Sequence, residues 1–218
     1  RVTDCVSPFD YTEFLAQDYD DIRMPVNGLR AKYTRGSVTL EAVCNPVADF
    51  FVLPTDERNP WAIRLPSAPQ PYTTDLESGK PEKKIKNMEF GGRASVNLSG
   101  IDFSVSALRT WNKQPALCPA MSGDGRTFHI NGQYRRMTML GADCSLPVGQ
   151  FVLRAEVAEY IGEAQGSGLG QNAVRRNTLN ALAGVDWYPG NDWNISVQYC
   201  HKYTSGNLAA LSVYRNAG

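Results

Sequence analysis

The chain has 218 residues, 20% of them charged, and its 22 basic residues balance its 22 acidic ones. This neutral balance gives no bulk charge signal for nucleic acid, and no nucleic-acid partner is expected. No apolar run of about 18 residues occurs, so the sequence also excludes a transmembrane helix. The chain opens at Arg1 with polar residues and shows no secretory signal.

In chain order, residues 1–27 show no strand periodicity, and we predict an irregular segment that forms a plug or a loop. Residues 28–218 are predicted to form one β-barrel domain. Within it, eight segments alternate apolar and polar residues with period two, the signature of strands with two different faces: residues 29–34, 38–44, 93–98, 101–108, 137–144, 151–157, 179–187 and 193–203.

Short connections alternate with long ones between these segments. Tight turns are predicted within each pair of segments, at residues 35–37, 99–100, 146–149 and 188–192, and every other connection is long and polar. Membrane-spanning barrels have this asymmetry, because their periplasmic turns are short and their extracellular loops are long. We therefore predict an all-β fold, an antiparallel up-and-down transmembrane β-barrel of at least eight strands.

One face of the predicted strands carries ionised side chains at mid-strand. On the lipid side each would cost about 2–4 kcal/mol at the bilayer midplane, whereas a water-filled lumen keeps them solvated. Two roles stay open, cross-strand ion pairs such as Arg154 with Glu156 and Asp143, or a selectivity lining. The residues predicted to line the lumen are Arg30, Lys32, Glu41, Arg93, Asp102, Asp143, Arg154, Glu156, Asp186 and Lys202.

Aromatic residues are expected at the two membrane interfaces, where Trp and Tyr place an apolar ring and a polar tip. Trp187, Tyr188 and Trp193 flank one short turn. The opposite strand ends are predicted to carry Tyr203, together with Tyr33, Trp111 and Tyr160.

Cysteine and histidine give no sign of a metal site or a catalytic site. Cys44 and Cys144 are predicted to face lipid and Cys200 the lumen, while Cys5 and Cys118 lie in irregular segments and could pair. Only two histidines, His129 and His201, could serve a Ser or Thr nucleophile, and both are interpreted as polar residues of the rim. We predict no catalytic residue, no metal and no cofactor.

Several stretches resemble a large family of Gram-negative outer-membrane proteins that carries a domain-of-unknown-function label, family 1302. They include residues 7–14, 21–26, 40–43 and 59–61, with the later hairpins around residues 141–156 and 184–198. The resemblance implies an outer-membrane barrel and a transport pore for lipid-like or other amphipathic molecules. Members of that family are longer, which implies that this chain is a piece of a larger barrel.

The expected function is a porin-like channel or exporter in the bacterial outer membrane, for an unidentified small polar or amphipathic molecule. The expected partners are outer-membrane lipid, lipopolysaccharide and the solute, with a periplasmic or surface protein as a further candidate. One alternative is a structural or interaction barrel that binds a partner through its extracellular loops. A second alternative is an outer-membrane enzyme that modifies lipids.

Overall fold

The computed structural model describes residues 3, 6–13, 18, 21–56, 58–62, 72–123, 125–190 and 192–206. Within these ranges the regular structure is β-sheet, apart from one 3₁₀ turn at Ile85–Asn87. No helix in this part of the chain is long and apolar enough to cross a membrane. The predicted all-β class is therefore confirmed.

Eight strands form one antiparallel sheet in the order β1-β2-β4-β5-β8-β9-β10-β11. These are the eight strands predicted from sequence, and their up-and-down order is confirmed. Strands β1 and β11 are the two edges, and no pairing joins them among the described residues. The bounds are β1 Leu29–Arg35, β2 Val38–Asn45, β4 Glu89–Leu98, β5 Ile101–Trp111, β8 Arg136–Val148, β9 Phe151–Gln165, β10 Val174–Gly190 and β11 Trp193–Thr204.

The predicted tight turns join the strands of each hairpin. In the second hairpin both central residues have positive φ, with Ser99 at 48° and Gly100 at 90°. Two positive φ values define the type I′ turn, whose twist matches that of the flanking strands. Gly36 and Gly149 supply the same left-handed conformation in the first and third hairpins, with φ of 57° and 60°.

The register of the sheet is staggered in one direction. One row of cross-strand neighbours runs Tyr33, Leu40, Ala94, Val105, Ala142, Val157, Ala181 and His201. From one hairpin to the next, the row moves two residues farther from the short turn. In the first hairpin Tyr33 lies two residues from the strand end at Arg35, and in the second Ala94 lies four residues from Leu98. In the third Ala142 lies six residues from Val148, and in the fourth His201 lies eight residues from Trp193. A constant stagger means that the strands are tilted relative to the line of turns.

The long connections form a second sheet, which was not predicted from the sequence. Strands β3 (Tyr72–Asp75), β6 (Ala116–Met121) and β7 (Phe128–Gln133) pair in the order β3-β7-β6. The connection between β5 and β8 is long, as predicted, but it forms a hairpin of β6 and β7 rather than an irregular loop. The small sheet contacts the connection between β9 and β10, where the Gly170 amide donates to the Pro119 carbonyl at 2.9 Å.

Candidate functional site

The eight-stranded sheet has an apolar face that is exposed. Val197 is 68% exposed, Trp193 67% and Leu40 49%, although a soluble sheet would bury such side chains. All of its large exposed hydrophobic residues in the regular ladders share this face by register. They are Leu29, Tyr33, Val38, Leu40, Phe90, Leu98, Ile101, Phe103, Val105, Leu140, Val148, Phe151, Leu153, Val157, Ile161, Leu179, Val185, Trp187, Trp193, Ile195, Val197, Tyr199 and Tyr203.

Strands β5 and β9 carry no charge along most of the apolar face. In β5 this face is apolar from Ile101 to Ala107, and Arg109 is the next residue on it. In β9 it is apolar from Phe151 to Val157, and Glu159 follows. Six residue steps at about 3.3 Å each span about 20 Å along the strand, somewhat less than the apolar band of about 25 Å in membrane barrels.

All ten residues predicted to line a lumen lie on the opposite face, called here the polar face. The register shows this directly, since Lys32 pairs with Glu41 and Glu41 pairs with Arg93 on one row. On the neighbouring rows Asp143 pairs with Glu156, and Asp186 pairs with Ser196. The others that share the face are Arg30, Asp102, Arg154 and Lys202.

Ion pairs cross several strands of the polar face. Arg30 Nη2 lies 2.6 Å from Glu41 Oε2, and Lys202 Nζ lies 3.5 Å from Glu163 Oε1. Arg93 Nη2 lies 3.0 Å from Asp143 Oδ1, and Ser104 Oγ also donates to Asp143. Opposite charges are thus paired across the sheet rather than separated into regions of one sign.

The predicted partners of Arg154 were wrong. Arg154 Nη2 lies 2.5 Å from Asp186 Oδ2, on the adjacent strand β10, instead of contacting Glu156 and Asp143. Arg154 pairs with Gly184 in the register, so its long side chain extends one row toward the turn, to an aspartate that is 3% exposed. The sequence places all these charges on one face but does not give the register that selects among them.

The polar face divides into two regions. Near the short turns it forms a cleft of about 500 Å³ lined by polar and charged side chains, among them Asn97, Asp102, Ser145, Arg154 and Glu156. Farther from the turns, the middle of one row is apolar, between Arg30 at one end and Thr178 toward the other. The apolar row, as it is called here, is formed by Val43, Leu108, Met139 and Tyr160, and Ala158 lies on the next row. Val6 of the N-terminal segment packs against this apolar row.

The predicted interface aromatics lie near both ends of the apolar face. Trp187 stacks on Phe151 with ring centroids 6.0 Å apart, close to the turn that Tyr188 and Trp193 also flank. Tyr203 lies at the far end of β11 and is 59% exposed. Two further placements were wrong, because Tyr33 lies near its short turn and Tyr160 is on the polar face.

A buried ion pair lies where β4 begins, and no pattern in the sequence indicates it. Lys113 Nζ lies 2.7 Å from both carboxylate oxygens of Glu89, whose side chain is 2% exposed. Thr110 Oγ1 donates to the same carboxylate at 2.5 Å. Lys113 also donates to the Asp49 carbonyl at 3.0 Å, which ties the segment after β2 to the sheet.

The two histidines lie in different sheets. His201 is on the apolar face, stacked with Tyr199. His129 is on β7, and its Nδ1 lies 2.5 Å from Thr73 Oγ1. Among the described residues no third group bonds the other ring nitrogen of His129, so the orienting partner of a catalytic triad is not seen.

The cysteines that the structure describes are unpaired. Cys44 and Cys144 share the apolar face and Cys200 the polar face, while burial raises the pKa of the Cys118 thiol. Because Cys118 is unpaired, its predicted pairing with Cys5, which lies outside the described residues, was wrong. No cluster of three or more His, Cys, Asp or Glu that could hold a metal occurs in the described part of the chain.

Comparison of the chain with protein-family models, with curated proteins and with solved structures gives no match. The resemblance to family 1302 therefore stays a prediction, and the case for a function depends on the geometry of the sheet.

Proposed function

We propose that the eight-stranded sheet is the wall of a transmembrane β-barrel in the bacterial outer membrane, acting as a porin-like channel or exporter for a small solute. One observation carries the proposal, namely that the exposed face of the sheet is apolar while the opposite face is charged. In water this arrangement would leave a very large apolar surface uncovered. In a bilayer it satisfies both faces, with lipid on one side and solvent on the other.

The stagger of the register supports closure into a barrel. A row that climbs two residues per hairpin climbs one residue per strand. With a rise of about 3.3 Å per residue and a strand spacing of about 4.8 Å, the corresponding tilt is about 35°. Closed barrels need strands tilted in this range, typically about 35–45°. A flat open sheet has no need of a stagger that accumulates in one direction.

The polar face favours a transport pore over a barrel whose interior is filled by side chains. Arg93 is 43% exposed and Arg154 47% exposed beside the cleft, so water reaches both guanidinium groups. The balanced signs suit a polar or zwitterionic solute better than a strongly charged one. The expected partners are accordingly membrane lipid and lipopolysaccharide outside the wall and a small solute inside it.

One observation favours the interaction barrel as a second candidate. The connections opposite the short turns build the β3-β7-β6 sheet, an ordered surface at the end predicted to be extracellular. A partner that binds through these connections would use that surface, and the barrel would then serve as its support. The two candidates differ in whether the wall conducts.

Conductance of the chain in planar bilayers tests the proposal. The charge reversals R93E and R154E should each shift permeability toward cations by several fold, since they replace fixed positive charge beside the path with negative charge. The shift should shrink in 1 M salt, where the Debye length is about 3 Å. R58E is the matched control, because Arg58 lies in a loop and is 90% exposed. A barrel that inserts but does not conduct, even with its N-terminal segment deleted, would favour the interaction role.

A further inference from the structure

The apolar row on the polar face needs a cover, because it faces the same space as the ion pairs. Leu108 and Met139 are only 6% and 3% exposed, although neither is covered by a second layer of the large sheet. Their cover includes Val6, which packs against the cluster that they form with Ala158. Thr3, nearer the N-terminus, lines the polar cleft itself.

The segment that carries Val6 is anchored three residues farther on. The Val52 amide donates a hydrogen bond to the Phe9 carbonyl at 3.0 Å, and the Tyr11 amide donates one to the Val52 carbonyl at 2.9 Å. The rings of Phe9 and Phe51 lie 5.2 Å apart, and those of Tyr11 and Phe51 lie 5.5 Å apart. These contacts fix residues 9–11 to the connection after β2.

That connection is in turn fixed to the sheet. The Phe51 amide donates to the Lys113 carbonyl at 3.1 Å, and Lys113 forms the buried ion pair with Glu89. A continuous chain of contacts therefore runs from β4 through Lys113 and Phe51 to Phe9. Val6 lies beyond the last of these anchors, and its side chain packs against the apolar row.

We propose that residues 6–11 are a tethered plug, in which Val6 covers the apolar row and withdrawal of Val6 opens the polar face to solute. The anchor at Phe9 and Tyr11 keeps the segment attached while Val6 leaves. The plug rests on the proposed function, since it matters only if the polar face lines a lumen. The cover itself can be tested separately from conduction.

Labelling of a buried cysteine tests the cover. In a background with the five native cysteines replaced by alanine, Met139→Cys should react slowly with a water-soluble maleimide in lipid vesicles. Val6→Asp should raise that rate at least tenfold, because a carboxylate is not stable against the apolar row. Val6→Gly, which removes the covering side chain without adding charge, should raise it as well.

Two controls make the rates interpretable. Ser7→Asp adds the same charge at the adjacent residue and should change the rate less than twofold. Gln198→Cys, on the exposed part of the polar face, should react quickly whether or not Val6 is changed. Unchanged labelling of Met139→Cys in both Val6 variants would overturn the plug.

Conductance then separates the failure of the plug from the failure of the channel. The plug predicts a higher conductance for Val6→Asp than for the unmodified chain, and a measurable conductance that is equal in the two would overturn it. Faster labelling without conductance in any variant would reject the channel, while still showing that Val6 covers the apolar row.

Discussion

The guanidinium of Arg93 reaches across the whole of β5 to the carboxylate of Asp143, 50 positions away in the chain. Arg93 Nη2 lies 3.0 Å from Oδ1 and 3.1 Å from Oδ2, and Arg93 Nε donates to Ser104 Oγ at 2.9 Å. Three strands are thus joined by one network on the polar face. Such a network stiffens the wall only if its charges interact in solution.

A double-mutant cycle measures that interaction. R93A, D143A and the double variant should give a coupling free energy of about 0.2–1 kcal/mol, the range of partly exposed ion pairs. The coupling should fall in 1 M salt. A cycle of R93A with D102A is the control, since Asp102 bonds to Asn97 instead. Zero coupling in both cycles would mean that the charges act independently.

Removal of Lys113 should destabilise the fold far more than removal of an exposed lysine. K113M leaves the Glu89 carboxylate buried without its cation, and loss of one partner of a buried pair costs about 3–5 kcal/mol. The double variant E89L/K113M should recover much of that free energy of unfolding. K84M is the control, because Lys84 and Glu82 are both exposed and contribute little. Equal stability of K113M and K84M would show that the pair is solvated.

The ionisation of Tyr134 should lower the stability of the fold at alkaline pH. Burial, and then the charge of Glu77, raises the pKa of Tyr134 to about 12. Because the pKa is raised in the folded state, protonated Tyr134 contributes to the stability of the fold. This contribution is fully present below the unfolded pKa near 10 and is lost as the pH rises from 10 to 12. Absorbance at the phenolate band should show one late tyrosine that is missing in Y134F. If the tyrosine lost in Y134F is instead one that titrates near pH 10, the burial of Tyr134 against Phe50 would be contradicted.

The sequence predicted the strands of the large sheet and both of its faces. Alternation with period two is a local signal, and residues 193–203 carry it over eleven positions, so the faces follow without knowledge of neighbours. The tight turns were equally local, since Gly36, Gly100 and Gly149 supply the positive φ that the turns need.

The contacts that depend on register could not be predicted. Arg154 has several acidic residues within reach on the same face, and only the pairing of β9 with β10 selects Asp186. The β3-β7-β6 sheet was missed because its strands are short and β3 is far from β7 in the chain. Val6 sits in a segment without periodicity, so its contact with the apolar row has no sequence signal.

Neighbouring positions on β11 offer the most direct test of the claim that the apolar face contacts lipid. Val197 lies on the apolar face and Gln198 on the polar face, and both are exposed. Folding into lipid vesicles should be weakened by about 2–4 kcal/mol in V197R, as for arginine near the bilayer midplane, and should be nearly unchanged in Q198R. If V197R folds normally and Q198R does not, the faces are reversed and the proposed barrel is wrong.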